Sequence, residues 1–139
     1  MVERKQRIRF IINPNSGVKR KVTIPNLIKK HLDHSRFDYE ITFTKAAGHA
    51  TELAQEAVDS NQFDIIAAVG GDGSINEAAR GVIGTNKVFA ILPHGSGNGF
   101  ATYLGISRNI EKAINVINTG GIHQVDTCTL NDEPFLNLA

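Results

Sequence analysis

Residues 63–77 read Phe-Asp-Ile-Ile-Ala-Ala-Val-Gly-Gly-Asp-Gly-Ser-Ile-Asn-Glu. The run from Phe63 to Val69 is nearly all apolar. Such a run suits a central strand of a parallel sheet, covered on both faces. It stops at Gly70-Gly71-Asp72-Gly73, and a helix is predicted from about Ser74 to Val82. Glycines let the backbone come close to a ligand. A helix start adds free N–H groups and the positive end of a dipole, and both favour phosphate. Ser74 with Glu77 also spells a capping box, which accounts for those two residues without any ligand. It does not account for three glycines around an acid. Asp72 beside a phosphate loop would repel a polyphosphate unless Mg²⁺, or the proton of an attacking hydroxyl, offset it.

The same strand–loop–helix unit recurs on either side. Arg7 to Ile12 is a short buried strand that stops at the turn formers Asn13-Pro14-Asn15-Ser16-Gly17. A helix comes next, with Thr23 as cap, Pro25 in its first turn, and Ile24, Leu27, Ile28 and Leu32 on one face. Asp38 to Phe43 is a second strand, and Thr44 to Gly48 leads to a helix that aligns Ala50, Leu53, Ala54, Ala57 and Val58. Lys87 to Leu92 repeats the pattern, with a second glycine loop, Pro93 to Gly97, and a short helix near Asn98 to Leu104. Asn109 to Asn118 is a last amphipathic helix with Ile110, Ala113, Ile114 and Ile117 inward. This alternation predicts an α/β fold, an open and mostly parallel sheet with helices on both faces. In such sheets ligands sit beyond the carboxyl ends of the strands, so the four loops fall on one rim. The tail differs: His123 to Leu130, a turn at Asn131-Asp132, and Pro134 to Leu138 read as a hairpin of another, antiparallel layer. The division expected is a nucleotide-binding α/β domain over 1–122 and the start of a second domain over 123–139.

Composition narrows the function. The chain has 139 residues, 41% hydrophobic and 21% charged, with a formal net charge of +1. That is one ordinary domain's worth, neither disordered nor a strongly basic nucleic-acid binder. Nine of the thirteen glycines lie between Gly70 and Gly105, so glycine has a local task. The single cysteine, Cys128, excludes a disulfide framework and reads as a core residue. No apolar run approaches a membrane span, and the polar start Met1 to Phe10 is not a signal peptide. A reducing, cytoplasmic setting is expected, with any lipid met at a membrane surface.

Two familiar phosphate templates fail. There is no G-x-x-x-x-G-K-[ST]. The dinucleotide pattern G-x-G-x-x-G breaks at Asn76 when counted from Gly71 and at Phe100 when counted from Gly95. In the second loop Ser96 offers a hydroxyl to the rim, and Asn98 is equally a helix cap. His49 and His94 lie on the rim without a second ligand at metal spacing. His31 and His34 read as solvated helix residues, and Lys19, Arg20 and Lys21 as a solvated basic run.

Four ordered stretches together resemble the catalytic domain of the diacylglycerol kinase and sphingosine kinase family of lipid kinases. They are Asn13-Pro14-x-Ser16-Gly17; Thr44 before Gly48-His49-Ala50; Gly70-Gly71-Asp72-Gly73-Ser74-x-Asn76-Glu77; and Pro93-x-Gly95-Ser96-Gly97-Asn98-x-Phe100-Ala101. The resemblance implies a phosphofructokinase-like α/β domain followed by a β-sandwich that holds lipid. It implies transfer of the ATP γ-phosphate to a lipid hydroxyl with Mg²⁺, as in phospholipid biosynthesis. By resemblance, Asn13, Thr44, Gly70, Gly71, Asp72, Gly73, Ser74, Asn76, Glu77, Gly95 and Ser96 surround the nucleotide. Asp72 matches the family's acid, viewed as the base on the acceptor hydroxyl in some members and as part of the nucleotide–Mg²⁺ site in others.

The chain departs from the diacylglycerol kinase pattern in places. Ser74 stands where many members have Thr, Gly99 where they have Asp, and Thr102 where they have Arg. The Ser-Gly-Asn form looks closer to the sphingosine kinase side and to related bacterial proteins. Members run to about twice this length, so an N-terminal segment of a longer kinase is expected. By that expectation the segment alone is inactive, and its partners are ATP, a lipid acceptor and its own second domain. An NAD kinase shares the Gly-Gly-Asp-Gly loop, but Asn76-Glu77 and Gly95-Ser96-Gly97-Asn98 favour the lipid kinases. A non-catalytic nucleotide-binding module is the reading from another class.

Overall fold

A computed structural model describes residues 4–14, 23–93, 110–119, 126–130 and 133–137. The elements run β1 (Gln6–Ile12), α1 (Thr23–His31), β2 (Phe37–Phe43), α2 (His49–Ser60), β3 (Ile65–Gly70), α3 (Asp72–Arg80), β4 (Val88–Pro93) and α4 (Ile110–Thr119). The hairpin strands β5 (Asp126–Leu130) and β6 (Glu133–Asn137) complete the series. Strands β1 to β4 form one parallel sheet in the order β2-β1-β3-β4, and β5 and β6 pair antiparallel in a sheet of their own. The expected α/β architecture is therefore found. The short helix predicted near Asn98 and the loop carrying Gly95 and Ser96 lie outside the described residues, as does the turn at Asn131-Asp132.

Alternation along each strand divides the core in two. Ile8, Phe10 and Ile12 of β1, with Ile65, Ala67 and Val69 of β3, face α1 and α4. Large side chains fill that layer: Ile24, Ile28 and Leu32 from α1, and Ile110, Ala113, Ile114 and Ile117 from α4. All four inward residues predicted for α4 are buried. Asn118 binds the two helices end to end. Its Nδ2 donates to the His31 carbonyl at 2.9 Å, and its Oδ1 accepts from the Asp33 N–H at 2.8 Å. In the turn beyond, the Ser35 hydroxyl, then its amide, hold the Asp33 carboxyl below the usual carboxylate range.

The other face of the sheet carries Ile11, Ile66, Ala68 and Ile91, covered by α2 and α3. Here the helices meet through small residues, Ala50, Ala54 and Ala57 from α2 and Ala78 from α3. Arg9, 7% exposed, is the charged side chain buried under this layer among the described residues. Its guanidinium donates to Glu40, to Glu56 and to the Leu53 carbonyl at 2.9 to 3.1 Å, and lies over the Phe63 ring. A buried cation needs such partners, because stripping its water is costly.

Helix α3 differs from its prediction. It begins at Asp72 rather than Ser74, because Gly71, extended at φ −85°, already accepts the first helical bond from the Ile75 N–H at 3.0 Å. It ends at Arg80, with Gly81 as its C-cap and Val82 buried just beyond. Gly81 is where α3 presses hardest on α2. A Cβ there would lie 2.6 Å from Ala54 Cβ, 2.8 Å from the Thr51 carbonyl and 2.9 Å from the Gln55 nitrogen. Two of those neighbours are backbone and cannot yield without moving the helix. Gly81→Ala should therefore cost about 1–3 kcal/mol by overpacking, lowering Tm by roughly 5 °C or more in a thermal melt.

Candidate functional site

The parallel register places the ends of β1, β2, β3 and β4 side by side: Ile12 pairs with Phe43 and Val69, and Val69 with Leu92. The first residues beyond β1 and β2 are tied to the neighbouring strand. The Asn13 N–H donates to the Val69 carbonyl at 3.2 Å, and the Thr44 N–H to the Ile12 carbonyl at 2.9 Å. Asn13, Thr44 and Gly71 thus share one rim, as expected from the strand ends.

The start of α3 dominates that rim. Its first turn presents the Gly73 and Ser74 N–H groups, which precede the first intrahelical bond and have no partner within the helix. Asp72, half-buried, is the first helical residue. The capping box expected from Ser74 and Glu77 is absent: the cap residue is Gly71, and no side chain caps this end. Both residues bond elsewhere. Ser74 Oγ accepts from Asn13 Nδ2 at 2.8 Å, tying the end of β1 to the helix. Glu77 Oε1 accepts from the Gly48 N–H at 2.8 Å, tying in the loop after β2.

Among the described residues nothing compels glycine at positions 71 and 73. Neither has a positive φ, and among the described residues nothing lies within 4 Å of a Cβ built at either. Gly81, by contrast, is compelled by α2, and Gly48 by its φ of 82°. Bare backbone facing open space at a helix start is what a close-approaching anion requires. The donor set suits a phosphate group. For Mg²⁺, Asp72 supplies one hard oxygen, and that ion takes one or two carboxylates beside substrate phosphates. Among the described residues no group of three or more His, Cys, Asp or Glu gathers as a metal site.

The loop after β2 is equally tight. Gly48 turns it left-handed into α2, and the His49 N–H donates to the Ala46 carbonyl at 3.2 Å. His49 Nδ1 accepts from the Lys45 N–H at 3.0 Å, which puts the proton of a neutral ring on Nε2. One turn into α2, Thr51 Oγ1 donates to the Glu77 carbonyl at 2.5 Å.

Of the residues singled out in the sequence, Asn13, Thr44 and the stretch Gly70 to Ser74 come together at the rim. Asn76 and Glu77 lie in the next turn of α3, both half-buried. Gly95 and Ser96 lie outside the described residues. Sequence reasoning passed over Gly48 and Thr51 as contact residues and gave His49 a minor place. The signal for Gly48 was present: a lone glycine before an amphipathic helix marks a left-handed turn. No helix among the described residues is long and apolar enough to cross a membrane. The Asn13–Ser74 bond can be weighed directly. A cycle of Asn13→Ala, Ser74→Ala and the double variant should return a coupling of about 0.5–1 kcal/mol in chemical denaturation.

Known proteins share this arrangement. The family described as diacylglycerol kinase catalytic domain matches residues 7–130. A Bacillus subtilis protein named diacylglycerol kinase is 34% identical over 144 residues, covering 96% of this chain and 45% of its own length. A Staphylococcus saprophyticus protein of the same name is 34% identical, covering 97% and 45%. An uncharacterized Synechocystis protein is 36% identical, covering 94% of this chain and 32% of its own. A crystal structure described as a diacylglycerol kinase from Bacillus anthracis superimposes with a TM-score of 0.79 at 29% identity, over 98% of this chain and 47% of that one. The chain thus spans about a third to a half of the length of these relatives. With a family match across nearly all of its residues and the fold shared, this chain belongs to the diacylglycerol kinase catalytic-domain family.

Proposed function

We propose that the chain is the ATP-binding part of a lipid kinase that moves the γ-phosphate of ATP to a lipid hydroxyl, of the diacylglycerol or sphingoid type. The observation that carries this reading is the pair Gly71 and Gly73, at the N-cap and first turn of α3, where among the described residues nothing lies within reach of an added Cβ. The Gly73 and Ser74 N–H groups and the positive end of the helix hold phosphate oxygens. Thr44 and Asn13 flank the nucleotide, with Asn13 also fixing the Ser74 hydroxyl. Gly95 and Ser96 join the nucleotide site by family resemblance. Catalysis in such transfers is positioning and electrostatics. Mg²⁺, when bound with the nucleotide, would supply charge neutralisation on the phosphates. Asp72 has one of two tasks: taking the proton of the acceptor hydroxyl, or holding that ion.

The acceptor is met at a membrane surface. The hairpin β5–β6 opens a second, lipid-holding domain, to which residues 123–139 belong, and 1–122 is the nucleotide domain. The approach of β6 to α3, the helix that follows the glycine loop, supports that reading.

The gene-length protein, given ATP, Mg²⁺ and a panel of diacylglycerol, sphingoid bases, ceramide and NAD, should phosphorylate a lipid in preference to NAD. Binding of ATP without transfer to any acceptor would favour a nucleotide-binding module instead. Asp72→Asn should reduce turnover by at least about 100-fold, the scale of a lost general base. Wild-type rates in that variant would remove Asp72 from the mechanism. Gly73→Ala separates ligand from fold: replacing an unhindered helical glycine should raise the ligand-free stability slightly, by about 0.5 kcal/mol. The same variant should abolish the rise in Tm that ATP gives the wild type.

A further inference from the structure

Glu77 stands in the second turn of α3, and a carboxylate there has no need of a partner on another element. It has one. Glu77 Oε1 accepts from the N–H of Gly48 at 2.8 Å, across 29 residues of sequence. Gly48 is the left-handed hinge between the Thr44–Gly48 loop and α2, and this bond holds its N–H. Within the next turn, Thr51 Oγ1 reaches the Glu77 carbonyl, so both ends of one residue face the start of α2. The loop itself is folded tightly on its own backbone through His49 and Lys45. A tight loop held at its hinge moves as a unit. Its placement against the α3 start is therefore set at Glu77.

We infer that Glu77 is a positioning residue: its carboxylate fixes the Thr44–Gly48 loop against the phosphate-holding turn of α3, so that both sides of the nucleotide site are in place before ligand arrives. This deepens the kinase reading above and rests on it for the identity of the ligand. Its chemistry requires an acceptor oxygen and not a charge. The amide of Gln retains that oxygen; the methyl of Ala does not. Without the bond the loop must be ordered at the moment of binding, and the cost falls on nucleotide affinity.

The test uses the gene-length protein and the variants Glu77→Ala, Glu77→Gln and Thr51→Val. Glu77→Ala should raise KM for ATP roughly tenfold, the equivalent of one hydrogen bond, with a much smaller change in kcat. Glu77→Gln should recover most of that loss. Thr51→Val, which cuts the neighbouring tie between the same two helices, should lower Tm while leaving KM near the wild-type value. A merely structural Glu77 would behave like Thr51 in this, losing Tm but not affinity, and that result would overturn the proposal. So would Glu77→Gln proving as damaging as Glu77→Ala, which would make the charge itself the working group. Hydrogen exchange at the Gly48 amide gives a readout free of catalysis. Glu77→Ala should speed it about tenfold, and unchanged exchange would overturn the clamp even if the protein proved to be no kinase.

Discussion

How near two helices can lie is decided by the side chains between them, and here almost nothing lies between α2 and α3. Ala54 meets Gly81 at a point where even one added carbon would enter the α2 backbone. That approach sets how closely α2 and α3 lie together. The first turn of α3 carries the bare glycines, and the first turn of α2 carries the loop after β2. Had a leucine stood at position 54 or a valine at 81, the two starts would be pushed apart, and no bond from Glu77 could reach Gly48. The rim contacts are therefore a result of the packing below them. Asn13 adds the third side by reaching from the end of β1 to Ser74.

The phosphate site proposed here needs no basic surface. The formal net charge is +1 over 139 residues, and the residues that meet at the rim are Asn, Thr, Ser, Gly and Asp. Oriented peptide N–H groups replace lysines, and their direction is fixed by the helix rather than by long side chains. Asp72 at the helix start is stabilised by the same dipole that favours phosphate.

Much of the fold was legible in periodicity. The apolar run Phe63 to Val69 appears as β3 from Ile65 onward, buried on both faces, and the strand read at Arg7 to Ile12 appears as β1. The inward face of α4 was readable because Ile110, Ala113, Ile114 and Ile117 repeat at helical spacing. The site was legible as a set of loops and less so as a set of contacts. Ser74 and Glu77 sit three apart, and local spacing pairs them. The structure gives each a partner far off in sequence, Asn13 and Gly48, because the helix starts earlier than the spacing implies. Long-range polar bonds of this kind leave no periodic mark. A buried Arg9 inside a strand of isoleucines was equally unforeseeable, since its partners Glu40 and Glu56 come from two other elements.

The two coats of the sheet are unequal in material. One is upholstered in isoleucine and leucine, the other largely in alanine beside Ile75 and Val82. Each large aliphatic side chain buried contributes about 1.5–3 kcal/mol, and an alanine far less. Cohesion on the alanine side accordingly rests on closeness of fit and on polar bonds, both of which fail together once the helices separate. The protein thus places its bulk hydrophobic reserve on the side away from the glycine loop. Partial opening is least costly on the α2–α3 side, and the sheet with its α1–α4 coat can remain folded while that happens.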